Sequence, residues 1–413
     1  MAEAWIIDAC RTPRGIGKVG KGSLAEIHPQ PLGASVLEAI VKRQGIDPND
    51  IDDVIFGTSL QAGTQGGDLG RMAALDAGFP ISASGVTLDR YCGSGITATN
   101  LAAAMVQAGF EDLVIAGGAE MMSSYSANTK GSRRLPFMDK DNMHLRALHP
   151  QTNQGVAADA IATIEQIPRS ALDELALESQ RRAAVALAEG RFERSVIPVL
   201  NEDGSVALAV DEYPRPSTTM ETLSQLPPSF TELADHPMDE EGNTYRSMLQ
   251  RRYTGLDITH VHHAGNSSGV VDGAAAVLMA SDSYATAHGL KPRARVVAAA
   301  NMGDDPTLML NAPVPATKKV LERAGMTLED IDLFEVNEAF AVVPEKYIRD
   351  LNIDREKINV NGGAIALGHP IGATGAMLIG TVLDELERRD LQVGLVTMCA
   401  GGGMAPAIII ERI

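Results

Sequence analysis

The sequence predicts an α/β fold built from two copies of one mixed βα unit, with a segment of different character between them. Residues 41–57, VKRQGIDPNDIDDVIFG, match residues 320–337, VLERAGMTLEDIDLFEVN, in helix end, glycine, acidic turn, Asp-Ile-Asp and apolar strand. Each stretch is followed by a Gly-rich turn and a helix-compatible run, CGSGITATNLAAAMVQAG from Cys92 and GHPIGATGAMLIGTVLDEL from Gly368. Each copy then closes on an apolar strand running into glycines, DLVIAGGAEMM and GLVTMCAGGGM. Two long copies make an internal duplication, not a solenoid.

In chain order, the apolar run in WIIDAC reads as a buried strand that stops at Arg11-Thr12-Pro13. Pro31 to Gln44 has Leu32, Val36, Leu37, Ile40 and Val41 at helical spacing and stops at Gly45. A strand follows at Val54 to Phe56, and a helix at Ile96 to Gln107. From Met121 to Val261 proline, arginine and polar residues dominate, the composition expected of substrate-binding loops. That region carries a short helix from Ser170 to Glu189, N-capped by Ser170 after Pro168, and a polar hairpin in LNEDGSVALAVDEYPRP. AGNSSGVVDGAAAVLMAS then turns into a helix or strand of the core. The expected division is 1–120 plus about 262–290, then 121–261, then 291–413.

The chain has 413 residues, 45% of them hydrophobic and 21% charged, enough for two or three domains of a globular protein. With 35 basic and 53 acidic residues the net charge is −18, so nucleic acid and anionic membranes are poor partners. Neither a leader peptide nor a membrane-spanning run is apparent, and a cytoplasmic location is expected. Cys10, Cys92 and Cys399 are too few and too far apart for a disulfide framework, so each should be a reduced thiol.

The chemistry concentrates in three glycine-rich stretches. Asn359 to Gly375, NVNGGAIALGHPIGATG, reads as a tight turn that delivers backbone N–H groups and His369 to the mouth of a helix. Cys92 lies directly before Gly93-Ser94-Gly95 and a long helix pattern, a placement that lowers a thiol pKa. His369, at the equivalent turn of the second copy, is the base to take its proton. Cys399 sits in a second small-residue setting, Cys-Ala-Gly-Gly-Gly. Asn337, at the end of an apolar strand, reads on composition as a helix N-cap as well as a site residue. In HVHH, His260 and His262 would share a face of a strand, but no carboxylate or cysteine lies near them in sequence, and no metal is expected.

DRYCGSG, VNEAFA, NGGAIALGHPIGATGA and CAGGGMA, in this order, resemble the four signature stretches of the thiolase family, acyltransferases that make or cleave 3-oxoacyl-CoA thioesters. The resemblance covers essentially the whole chain. It implies a duplicated α-β-α-β-α five-layered fold with an inserted loop domain, and a ping-pong reaction through an acyl group on Cys92. His369 would be its base and Cys399 the acid/base at the carbon next to the thioester. The N–H groups of Cys92 and Gly401 would hold one oxyanion, and His369 with a water positioned by Asn337 the other. Ala339, Phe340, Phe230, Ala264 and Ser268 would contact CoA. The implied partners are CoA and a 3-oxoacyl-CoA, in a homodimer or homotetramer with no cofactor beyond CoA itself. CoA is polyanionic, so a local basic patch is required against the overall charge.

Two departures stand out. Where acetoacetyl-CoA-type members have His-Met-Gly in the loop over the substrate, this chain has Asn153-Gln154-Gly155. About two dozen residues also appear inserted after Phe230. Both touch the acyl pocket, favouring a degradative enzyme for something other than a bare acetoacetyl group. The alternatives are a biosynthetic acetoacetyl-CoA-forming enzyme and a non-catalytic acyl-CoA-binding protein on the same fold. A dinucleotide-binding oxidoreductase lacks its Gly-x-Gly-x-x-Gly turn.

Overall fold

A computed structural model describes residues 2–128 and 137–413. The first half contains strands β1 (Ala4–Arg11), β2 (Asp53–Gly57), β3 (Val86–Leu88) and β4 (Leu113–Met121), with helices α1 (Pro29–Gln44) and α2 (Ser94–Ala108). The middle segment carries helices α3 (Gln154–Ile164) and α4 (Arg169–Ala188) before the chain returns in β5 (Val271–Ser281). The second half follows as β6 (Ala294–Gly303), α5 (Pro313–Ala324), β7 (Leu333–Val336), α6 (Val342–Leu351), α7 (Ile371–Arg389), β8 (Val393–Thr397) and β9 (Met404–Arg412).

The strand path is β7-β8-β9-β6-β1-β5-β4-β2-β3. In the first half β2 pairs parallel with β3 and β4, and β5 pairs antiparallel with β4 and β1. The second half repeats this. β7 is parallel to β8, β9 is antiparallel to β8 and β6, and a parallel bridge from Phe334 to Ile358 stands where β3 would be. The halves join edge to edge through Trp5–Arg295 and Ile6–Ala294. The duplication read from sequence is therefore a duplication of topology.

Helices α2 and α7 pack against each other and against strands of both halves, while α1 covers the outer face of the first sheet and α5 that of the second. That is the five-layered arrangement. Strand side chains alternate accordingly: Val114 and Ala116 of β4 join the central core with Ile96 and Met377, whereas Leu113 and Ile115 join Leu32, Val36 and Leu37 of α1. Strands buried on both faces read as unbroken apolar runs. Each such Leu or Ile contributes about 1.5–3 kcal/mol of burial. Gly45 and Gly325, equivalent positions of the two copies, end α1 and α5 with φ of 64° and 66°, a conformation that costs glycine nothing.

The sequence reading needs correction in the middle segment. α4 starts at Arg169 with Pro168 as its cap, not at Ser170. Pro168 stands as an extended cap, φ −73° and ψ 153°, and no side chain caps the first turn. The segment is also more than loops. Val156, Ile161 and Leu172 are buried in one core with Phe334 and Ile409 of the second half. The insertion after Phe230 forms two short helices, Thr231–Asp235 and Tyr245–Arg252, with Met248 and Leu249 in that same core. No helix among the described residues is long and apolar enough to cross a membrane.

Candidate active site

The Cys92 turn is tight. Tyr91 takes φ of 51°, unusual for a bulky residue, and Gly93 N–H and Ser94 N–H fold back onto Arg90 O (3.0 Å) and Tyr91 O (3.1 Å). Cys92 is thereby held half-buried two residues ahead of α2. A side chain at Gly93 would strike Pro406 of β9, so the turn seats directly on the second half.

His369 stands in the same relation to α7, two residues before its start. Cys92-x-x-Gly95 and His369-x-x-Gly372 are the equivalent turns, and their helices cross at these glycines. A Cβ on Gly375 would lie 2.1 Å from Ile96 N, and one on Gly95 2.8 Å from Ala376 N. Gly372 and Gly375 thus lie inside α7, not in a turn as the sequence reading had them. They let the helices touch backbone to backbone, so Cys92 and His369 both start within about one helical turn of the crossing.

Cys399 is buried just beyond β8, where Gly402 and Gly403 at φ of 76° and 75° reverse the chain into β9. In this reversal a Cβ on Gly401 would lie 3.0 Å from the Tyr91 ring, so the Cys399 turn rests on the Cys92 turn.

The imidazole of His369 is oriented by two partners. Nδ1 is 2.6 Å from Thr374 Oγ1, whose own proton goes to Pro370 O at 2.9 Å. The hydroxyl cannot donate twice, so Nδ1 carries the proton and Nε2 a lone pair. Asn337 Nδ2 lies 3.4 Å from Nε2, and Asn337 Oδ1 is buried without a partner. Asn337 is not a helix cap, since α6 is capped by Ala341.

Burial, then the Arg14 cation, hold the His369 pKa down to about 3. Burial, then the Glu120 carboxylate, push the Cys92 thiol up to about 12, and burial followed by neighbouring Cys92 raises Cys399. The expectation of a thiol lowered by its helix is therefore corrected: in the resting site desolvation outweighs the helix dipole. At rest the Cys92 thiol and the His369 ring are both neutral.

The residues expected to contact CoA fall on two stitched segments. Ser268 N–H donates to Ala339 O at 3.0 Å, Ala341 N–H to Asn266 O at 2.9 Å, and the Phe340 ring meets Phe230 edge-on at 5.8 Å. Ala264 lines a groove of about 510 Å³ with Gln180, Tyr213, Arg215 and Thr222, and among the described residues no carboxylate lines it. The Arg215 guanidinium lies 5.0 Å over the Tyr213 ring. Gly155 leaves room for Phe230, whose ring would lie 2.3 Å from a Cβ there; Asn153-Gln154-Gly155, read from sequence as a loop, is the cap and first turn of α3 and sits on this aromatic pair.

Arg14, Glu120, Thr374 and Arg215 were missed from sequence. Glu120 had a signal, a lone acid in the apolar run LVIAGGAEMM; the others had none. The histidines of HVHH do not lie on a strand, and distant carboxylates do reach them. Asp159 takes His260 and His262, and Asp173 takes His263. Among the described residues no group of three or more such side chains could hold a metal ion.

Known proteins match this arrangement. The model for the thiolase N-terminal domain matches residues 4–233 and that for the thiolase C-terminal domain residues 290–412. An acetyl-CoA acetyltransferase of Thiocystis violacea is 39% identical, over 99% of this chain and 98% of its own. The steroid 3-ketoacyl-CoA thiolase FadA6 of Mycobacterium tuberculosis is 39% identical over 100% and 95%. The 3-oxoadipyl-CoA/3-oxo-5,6-dehydrosuberyl-CoA thiolase of Escherichia coli is 41% identical over the full length of both. The crystal structure of the Bacillus anthracis acetyl-CoA acetyltransferase superposes with a TM-score of 0.83 at 34% identity, covering 100% of this chain and 99% of that one. With both family domains matched and full-length relatives near 40% identity, the chain belongs to the thiolase family.

Proposed function

We propose that this thiolase degrades a 3-oxoacyl-CoA larger than acetoacetyl-CoA, with Cys92 as nucleophile, His369 as base and Cys399 as acid. The observation that carries the reading is the neutral Nε2 of His369, its lone pair met by Asn337 Nδ2 at 3.4 Å, at the crossing that also bears the Cys92 turn. The Cys92 sulfur attacks the 3-oxo carbon as its proton passes to His369. The bond between C2 and C3 breaks, and Cys399 protonates the departing acetyl-CoA enolate. A CoA thiol, giving its proton to the Cys399 thiolate, then attacks the acyl-cysteine; the shortened acyl-CoA leaves, and the Cys92 sulfur takes its proton back from His369. The N–H groups of Cys92 and Gly401 hold the tetrahedral oxygen, while His369 and a water on Asn337 hold the enolate oxygen.

The groove at Ala264 takes the CoA, and Arg215 supplies the local cation that a chain of net charge −18 needs for a polyanion. The larger acyl group follows from the covering loop. It lacks the His-Met pair and is tied through Thr152 Oγ1 to Tyr245 O (2.9 Å) in the inserted helices. The relatives named for steroid and 3-oxoadipyl substrates agree with it. A homodimer through the open edge at β3, where Ile81 and Val86 are exposed, is the assembly we favour.

Cleavage is tested by incubating the protein with CoA and a chain-length series of 3-oxoacyl-CoA thioesters. Wild type should form an acyl mass adduct that Cys92→Ala lacks. Cys399→Ala should still acylate from acetyl-CoA but no longer exchange its methyl protons with solvent. Undiminished exchange would remove Cys399 from its role.

A further inference from the structure

The three histidines of HVHH have no part in the chemistry above, yet one points back to it. Asp159, on α3 just beyond the covering loop, lies 2.6 Å from His260 Nδ1 and 2.8 Å from His262 Nδ1. It also accepts the backbone N–H of Val261 (3.1 Å) and His262 (2.9 Å). Its carboxyl is held below the usual range by the hydrogen bonds from His260 and His262, which outweigh its burial. A carboxylate only accepts, so His262 Nδ1 carries a proton and its orientation is fixed. Nε2, at the other end of a fully buried ring, has no hydrogen-bond partner.

That ring stands edge-on to Phe340, centroids 5.7 Å apart at 86°. Two more buried polar atoms without partners, Ser267 Oγ and Asn337 Oδ1, lie on the same two segments, which a bridge from Ser267 to Phe340 joins. Buried polar atoms are rarely left unpaired, so each of these calls for a partner, and a ligand with polar groups would supply one. Ala264 lines the CoA groove, whereas His262, two residues earlier, is wholly enclosed. Its Nδ1 is tied to Asp159 of α3, the helix that begins at the Asn153-Gln154-Gly155 stretch, and its ring meets Phe340.

We propose that His262 is a specificity residue whose Nε2 shares a hydrogen bond with an oxygen on the acyl chain. The preferred 3-oxoacyl-CoA then carries a hydroxyl or carboxyl group beyond C3, not a plain alkyl tail. An alkyl tail would leave Nε2 buried and unpaired, a strong basis for discrimination. This rests on the acyl-CoA cleavage proposed above.

The test compares CoA-dependent cleavage of acetoacetyl-CoA with that of 3-oxoacyl-CoA thioesters of one chain length ending in methyl, hydroxyl or carboxyl, for wild type and His262→Asn. The asparagine amide keeps a donor where Nδ1 meets Asp159 and deletes Nε2. Wild type should favour one oxygenated chain over the methyl chain by roughly tenfold or more in kcat/KM. The variant should lose that preference while acetoacetyl-CoA cleavage changes less than about threefold, and which chain is favoured tells hydroxyl from carboxyl. An equal or better rate on the methyl chain in wild type overturns the inference while leaving the thiolase reading intact. So does a variant that melts like wild type but loses activity equally on all four substrates. If wild type cleaves none of them, the cleavage reading itself is wrong.

Discussion

Glu120 Oε2 accepts the backbone N–H of Gly372 at 2.9 Å, tying the end of a first-half strand to the first turn of the helix that follows His369. The same carboxylate accepts from Ser59 N (2.8 Å), Gln65 Nε2 (3.0 Å), Tyr125 OH (3.0 Å) and Thr58 Oγ1 (3.2 Å), and it is fully buried. It fixes where the His369 turn of one half stands relative to the first half's strand end. Glu120→Gln must turn an N–H₂ toward some of these donors, and should cost about 1–3 kcal/mol in urea unfolding. An unchanged midpoint would show that the carboxylate does not clamp the halves.

Thr374 holds His369 in the tautomer that leaves Nε2 unprotonated. Thr374→Val should lower kcat roughly ten- to hundredfold, and Thr374→Ser should restore most of it, as read in steady-state cleavage. A valine variant with wild-type kcat would mean the imidazole is oriented by something else.

Close approach of α2 and α7 at Gly375 leaves no room for a methyl group. Gly375→Ala should destabilise by about 3 kcal/mol or prevent folding. Gly380→Ala, later on the same helix, meets only Ala9 Cβ at 3.2 Å and gains helix propensity, so its change should be within about 1 kcal/mol. Thermal melts of the two proteins separate these outcomes.

His369 titrates at about 3 in the folded protein, against about 6.5 in an unfolded chain. Between those values the unfolded state binds a proton that the folded state refuses, so stability falls as pH falls through about 6.5. By about pH 5 this one group costs about 2 kcal/mol. Going from about pH 7.5 to 5, His369→Gln should therefore lose about 2 kcal/mol less than wild type in denaturant titrations. Equal losses would mean the ring is not buried as a neutral base.

What the sequence by itself determined was the duplicated unit, the helix stops at Gly45 and Gly325, and the Cys92, Asn337, His369 and Cys399 stretches. Local conformation and periodicity write these directly into neighbouring residues. What only the tertiary structure decided depends on groups far apart in the chain. Burial and Glu120 raise the Cys92 thiol that local reading had lowered, and Asp159 meets His262 across about a hundred positions. Gly372 and Gly375, which looked like turn glycines, belong to a helix, because the need for glycine there comes from Gly57 and Ile96 on the other half. Electrostatic environment and close packing are properties of the assembled interior, and no stretch of sequence carries them alone.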